Sequence, residues 1–256
     1  MLVDTHAHIH FDYYAADPDE VLAAAHKIGV EKVICVGCTL KDSQEGVAFA
    51  ADRDNVWASV GIHPHEAEDF LGDSGSRQAL ELLLAKKSPK TIAIGECGLD
   101  YFHQNSPQDL QKEVLKYQLG LARQYNLPAI FHVREAFSDF WPIYDQFPGI
   151  AGVIHSFTGT RTDLSEILAR GLYVGLNGIV TFTKDFEHIE AAKVVPLDRL
   201  VVETDAPYLT PAPFRGKVCK PEHVEITAKF LAELKGVDFE QLAQSTTNNA
   251  STLFGI

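Results

Sequence analysis

One pattern restricts this chain more than any other: eight short apolar runs, separated by amphipathic stretches, follow one another from end to end. They are LVDTH (2–6), KVICVG (32–37), VWASVG (56–61), TIAIGE (91–96), LPAIFH (127–132), AGVIH (151–155), LYVGL (172–176) and LVVET (200–204), and each reads as a strand. Helical patterns lie between them at 18–28, 41–52, 74–87, 107–125, 135–146, 161–170 and 184–194, and two more, at 220–235 and 239–253, close the chain. Ser106-Pro107 ahead of Asp109 reads as a helix N-cap with proline in the first helical position, and Lys220-Pro221 starts another helix similarly. Eight strands each followed by a helix within 256 residues point to an α/β fold, the (β/α)8 TIM barrel. The rival is an open doubly wound sheet, which needs no particular strand count. No internal repeat, low-complexity tract or linker interrupts the pattern, so residues 1–256 are expected to form a single domain.

In such a barrel the chemistry sits at the C-terminal ends of the strands. Those ends carry His6 and His8 in VDTHAHIH (3–10), His63 in GIHPH, Glu96 in IGEC, His132 in IFHVR, His155 in VIHSF and Asp205 in VVETDAP. Residues i and i+2 of a strand share a face, so His6 and His8 point together, as two ligands of one ion would. A single histidine closing a strand is more often a hydrogen-bonded core residue, but that reading is hard to sustain across six strands. Imidazole and carboxylate suit Zn²⁺, Mn²⁺, Co²⁺ or similar ions, and the lack of a clustered thiolate set argues against structural zinc. Two ions roughly 3.5–4 Å apart need an anion between them, and Glu96 is the natural candidate. Two carboxylates against two divalent ions leave such a site cationic, which favours an anionic substrate such as a phosphodiester. His26, His188 and His223 fall within helical segments and read as surface residues, whereas His10 and His103 lie in loops near the mouth with no role assigned.

The formal net charge of −13 argues against a broad nucleic-acid-binding face, which would cluster lysine and arginine. It leaves room for an enzyme that takes only a strand end, with positive potential confined to the site. The four cysteines, Cys35, Cys38, Cys97 and Cys219, are too few and too scattered for a disulfide framework. Cys35 and Cys38 have redox-motif spacing, yet their odd offset turns them to opposite strand faces, so both are read as packing. No apolar run of about 18 residues and no basic-then-apolar leader occurs, so a soluble, cytoplasmic protein is expected, with no membrane segment and no obligate protein partner.

The stretches DTHAH (4–8), GIHPH (61–65), IGECGLDYF (94–102), PAIFHVREA (128–136), IHSFTG (154–159) and ETDAPYLTP (203–211) span nearly the whole chain. In that order they resemble the TatD-like metal-dependent hydrolases, a deoxyribonuclease family among the amidohydrolase-type barrels. Two departures stand out: Cys97 where an apolar residue is usual, and Cys219 where the family generally shows asparagine. The resemblance implies two divalent ions, Mg²⁺, Zn²⁺, Mn²⁺ or similar. By it, His6 and His8 hold the first ion, His132 and His155 the second, Glu96 bridges, and Asp205 completes the first site and acts as general base. It also implies a deoxyribonuclease that cleaves phosphodiester bonds at single-stranded or frayed DNA ends by metal-activated water.

Around these ligands other residues have two readings each. Glu203 is either support for a ligand, or a third-metal ligand, or a structural partner. His63 is placed to hydrogen-bond a substrate phosphate, and His65 equally to shape its loop. Arg134 reads as a bidentate phosphate clamp or as half of a buried salt bridge, and Tyr101 and Phe102 as a stacking surface for a terminal base or as packing. Ser156 lacks the G-x-S-x-G setting of a nucleophile. Two other classes remain: a two-metal hydrolase of a small ester or amide, including aminoacyl esters, and a non-catalytic barrel, which the complete ligand set disfavours.

Overall fold

A computed structural model describes residues 1–103 and 105–256. The chain divides into two compact units, Met1–Cys35 with His155–Ile256, and Val36–Ile154. Strand β1 (Leu2–Ala7) is buried along its whole length and pairs in parallel with β2 (Val30–Val36). Helix α1 (Pro18–Lys27) connects them. Asp17 caps it by accepting from the amides of Asp19 and Glu20, Pro18 opens it, and Val21, Leu22 and Ala25 face inward.

The second unit begins with α2 (Leu40–Ala51) and β3 (Val56–Val60), then a 3₁₀ turn (Pro64–Glu66), α3 (Ala67–Gly72) and α4 (Ser76–Ala85). Strand β4 (Thr91–Asp100), α5 (Gln108–Tyr125), β5 (Ala129–Arg134), α6 (Phe137–Tyr144) and β6 (Gly152–Ile154) complete it. The pairs β3–β4, β4–β5 and β5–β6 are all parallel. Phe131 and Phe140 are fully buried and meet edge to face at 5.1 Å, so truncating either to alanine costs about 3–5 kcal/mol.

The first unit resumes with α7 (Arg161–Ala169), β7 (Tyr173–Leu176), α8 (Phe186–Val194) and β8 (Leu200–Val202), followed by α9 (Val224–Lys235) and α10 (Phe239–Phe254). Thr160 and Asp163 form a capping box on α7, and Gly236 and Gly255, at φ 67° and 71°, end the last two helices. Strand β7 pairs with β8, and the segment after β8 returns to β1. The Asp205 amide donates to the His6 carbonyl at 2.8 Å, and Ala7 bridges to Ala206. All eight strands expected from the sequence are present, and strand order follows chain order. No helix among the described residues is long and apolar enough to cross a membrane.

Four details differ from the sequence reading. Strand β4 runs on to Asp100, and α3 was not foreseen. Helix α5 begins at Gln108 with Pro107 as its N-cap, and the Ser106 hydroxyl instead accepts from the Glu68 amide at 2.7 Å. His188 is not a surface residue: it lies on the inward face of α8, 2 % exposed, beside Ala191 and Ala192.

Candidate metal centre

In the first unit, β1, the chain just after β6 and the segment after β8 bring five candidate side chains together. Nε2 of His6 and Nε2 of His8 are 3.2 Å apart, and Oδ1 of Asp205 is 3.7 Å from the first and 3.3 Å from the second. Atoms sharing a coordination sphere of radius about 2.1 Å are spaced by roughly 3 Å, so this donor set fits a divalent ion. The His155 ring stacks on His6 at 3.5 Å, and its Nδ1 lies 2.9 Å from Oε1 of Glu203. Glu203 also accepts from the Ser156 amide at 2.6 Å. A histidine that gives its Nδ1 proton to a carboxylate keeps the Nε2 lone pair for a metal. Gly175 makes room for this pairing, since any Cβ there would collide with the Glu203 carboxylate.

Asp205 has φ +61°, in the left-handed region where aspartate is tolerated and where functional residues concentrate. Burial works to raise its pKa, but the hydrogen bond from His8 and the charges of His155 and His6 outweigh it and hold the carboxyl below its usual value. Behind these side chains, Asp4 accepts from the Thr204 hydroxyl at 2.6 Å and the Thr204 amide at 2.8 Å, and burial pushes its pKa up to about 8. Asp4 thereby ties the strand that carries His6 and His8 to the segment that carries Asp205.

In the second unit, β4 and β5 set His132 between two carboxylates. Its Nδ1 is 2.8 Å from Oε1 of Glu96, and its Nε2 is 3.0 Å from Oδ2 of Asp100. Glu96 and Asp100 are four residues apart on one strand, with Gly98 midway, where a Cβ would strike the His132 backbone. The same Oδ2 lies 3.0 Å from Nε2 of His65 and 3.0 Å from Nδ1 of His103. Burial alone would raise the Asp100 carboxyl, yet hydrogen bonds from His132, His65 and His103 hold it well below the usual carboxylate range. His63 is 3.6 Å from Glu96 through Nε2, and its Nδ1 accepts the His65 amide. Burial keeps its pKa well below the usual value, so the ring is neutral and carries its proton on Nε2.

A family model described as TatD related DNase matches residues 3–255. The chain belongs to the TatD-related DNase family. A Bacillus subtilis relative named an uncharacterized metal-dependent hydrolase is 38 % identical over 258 residues, covering 100 % of both chains. A Citrobacter rodentium relative named 3'-5' ssDNA/RNA exonuclease TatD is 34 % identical over 252 residues, covering 95 % of this chain and 94 % of its own. The crystal structure of a TatD homologue from Escherichia coli K12 superposes with a TM-score of 0.93 at 28 % identity, over 100 % of this chain and 98 % of that one. The fold is therefore the TIM barrel of the TatD family, and metal-dependent hydrolysis of phosphoester bonds is its reaction class.

Within this TatD chain, His6, His8, His155, Glu203 and Asp205 lie in one group, and His63, Glu96 and His132 in another. Arg134 is in no buried salt bridge: it is exposed, with its guanidinium 4.0 Å from the Phe102 ring centroid. The Tyr101 hydroxyl donates to Asp139 at 2.8 Å, which Lys112 also meets at 2.7 Å. Phe102 is the more open of the two aromatics, 53 % exposed. His10 is buried against Phe11. Cys38, taken as packing, stands half-buried with Sγ 3.9 Å from Oε2 of Glu96. Asp100 was missed altogether. The signal available was its spacing from Glu96, an i, i+4 pair of carboxylates on one strand face.

Proposed function

We propose that the chain is a nuclease that hydrolyses phosphodiester bonds at single-stranded or frayed DNA ends with the help of two divalent ions. The observation that carries this reading is the mutual approach of His6, His8 and Asp205, two imidazole nitrogens and a carboxylate oxygen within 3.7 Å of one another. His6, His8 and Asp205 would hold one ion, and Glu96 and His132 would serve as ligands of the other. Mg²⁺, Mn²⁺ or Zn²⁺ suit these donors and, when bound, supply Lewis acidity toward water and the phosphoryl oxygens. Asp205, kept anionic, is the group that takes the proton from the attacking water. His63, neutral and protonated on Nε2, donates to a nonbridging phosphate oxygen. Glu203 fixes the tautomer of His155, and Asp100 that of His132. Arg134 and Tyr101 lie at the end of β5 and beyond β4, where Arg134 would meet a phosphate and Tyr101 would pack beside it.

The test is a parallel assay of the metal-loaded protein on short single-stranded DNA, closed circular duplex, nucleotide esters and acyl esters. Single strands should be hydrolysed fastest. Preference for an acyl ester, or equal rates on closed duplex and single strands, would overturn the assignment.

A further inference from the structure

The chain carries 35 acidic and 22 basic residues, yet residues 206–221 hold Arg215, Lys217 and Lys220 and no carboxylate. This stretch follows directly from Asp205 and is pinned to it: the Tyr208 amide donates to the Asp205 carbonyl at 2.8 Å, and the Cys219 amide to the Pro207 carbonyl at 2.9 Å. The Tyr14 hydroxyl holds its far end through the Cys219 carbonyl at 3.2 Å. The stretch is therefore a fixed platform, built outward from a residue of the metal centre.

Its outer face is aromatic as well as basic. Tyr208 is 46 % exposed, Phe214 37 % and the neighbouring Tyr13 63 %. These rings connect inward: His8 stacks on Phe11 at 4.7 Å, Phe11 meets Tyr13 at 5.1 Å, and the hydroxyls of Tyr13 and Tyr208 are 2.7 Å apart. Arg215 and Lys217 are exposed beside them, Arg215 braced over Phe182 at 3.8 Å and Lys217 5.3 Å from the Phe214 ring. Exposed rings beside cations are what a single strand of nucleic acid binds without regard to sequence. Neither a soluble surface nor a structural core calls for three large rings in contact with solvent around a carboxylate-free stretch that begins at Asp205.

We propose that this platform is where one single strand lies as its end enters the site, with bases against Tyr13, Tyr208 and Phe214 and phosphates against Arg215 and Lys217. The inference rests on the nuclease reading above and adds the path of the strand. It places positive charge beside the site in a protein that is acidic overall, so a duplex, stiff and charged along both strands, is repelled while a single strand is led in.

The experiment uses the full chain, a dye-labelled phosphorothioate oligothymidylate for binding, and an ordinary oligothymidylate and bis(p-nitrophenyl) phosphate for turnover. Two variants are compared with the wild type: Phe214→Ala, and Arg215→Gln with Lys217→Gln. For Phe214→Ala, kcat/KM on the oligonucleotide relative to that on the small diester should fall about tenfold, the worth of one base–aromatic stack. For the charge variant, the plot of log affinity against log salt should flatten by about 1.4, or roughly 0.7 for each lost phosphate contact on a single strand. Wild-type selectivity together with a wild-type salt slope would overturn the platform while leaving the nuclease reading intact. A change from oligomer to monomer in light scattering would also overturn it, by making the face an interface between copies. If the wild-type protein cleaves the small diester but neither binds nor cleaves the oligonucleotide, the nuclease reading itself falls.

Discussion

His132 presents Nδ1 to Glu96 at 2.8 Å while its Nε2 faces Asp100 at 3.0 Å. If Nε2 gives its proton to Asp100, the Nδ1 lone pair points at a carboxylate, and only a cation between them relieves the opposition of two acceptors. On the proposed reading, Asp100 selects the tautomer in which His132 can serve as a ligand. Asp100→Asn keeps the shape but not this selection. Its oxygen and nitrogen face three histidine nitrogens on one side and the amides of Phe102 and His103 on the other, so with the oxygen on the two amides its NH2 points at the rings and asks Nε2 of His132 to accept, which moves that ring's proton to Nδ1. Affinity for the divalent ion should drop about 10–100-fold, the usual effect of removing a ligand's outer partner. Isothermal titration with Mn²⁺ checks this, and wild-type affinity in the variant would remove the role.

Asp205→Asn and Glu96→Gln should separate base from ligand. The asparagine keeps an oxygen of similar shape beside His6 and His8 but has no basicity. It should retain most bound metal while the single-turnover rate falls about 10²-fold or more. In Glu96→Gln the amide cannot offer His132 the anion that a shared ion requires, so metal content should fall along with the rate. Elemental analysis beside single-turnover kinetics decides. A near-normal rate for metal-loaded Asp205→Asn would return the proton-accepting role to another group, His63 being the first to examine.

Gly175→Ala places a methyl group where Oε2 of Glu203 lies. Glu203 is 1 % exposed and has little room to retreat, so it must leave Nδ1 of His155 or the Ser156 amide. Metal affinity should fall about tenfold or more, with a loss of thermal stability that added metal only partly restores. Differential scanning calorimetry with and without Mn²⁺ gives both readings, and an unchanged affinity would show that Glu203 does not position His155.

His188 should make the fold acid-sensitive. Burial lowers its pKa below 6.5, its Nε2 has no hydrogen-bond partner, and the Phe157 backbone only partly compensates. The neutral ring is thus the folded form, whereas the unfolded chain binds a proton as pH drops below about 6.5. The stability tied to this residue is complete above pH 6.5 and is lost as pH falls through the folded pKa. Across that window its slope is at most about 1.4 kcal/mol per pH unit. His188→Leu should flatten urea-derived stability against pH between 7 and 5, whatever it does to absolute stability. An identical slope in the variant would be the falsifying result.

The strand and helix pattern was legible because parallel strands covered on both faces are written as continuous apolar runs, and the HxH spacing was legible because a strand has period two. Asp100 was not, for a physical reason. Gly95 and Gly98, both at positive φ, look like the end of a strand, whereas in β4 glycine at 98 lets the chain continue past His132 at close approach. His188 was misjudged because a lone histidine amid Glu187, Glu190 and Lys193 resembles an exposed face, and only packing shows which side of α8 is turned inward. Cys38 looked inert because nothing in its local spacing reveals that Glu96, 58 residues later, ends beside it.

Asp4 and Thr204 are 200 residues apart in the chain and share two hydrogen bonds beneath His6, His8 and Asp205. During synthesis the two histidines are made long before the carboxylate that joins them and the threonine that aligns their strand. Until then the first-unit donors are the imidazoles of His6, His8 and His155 without a carboxylate. An interrupted or truncated product lacking the region after β8 carries an HxH motif without its carboxylate, so the reactive centre comes into being only once that region has been made.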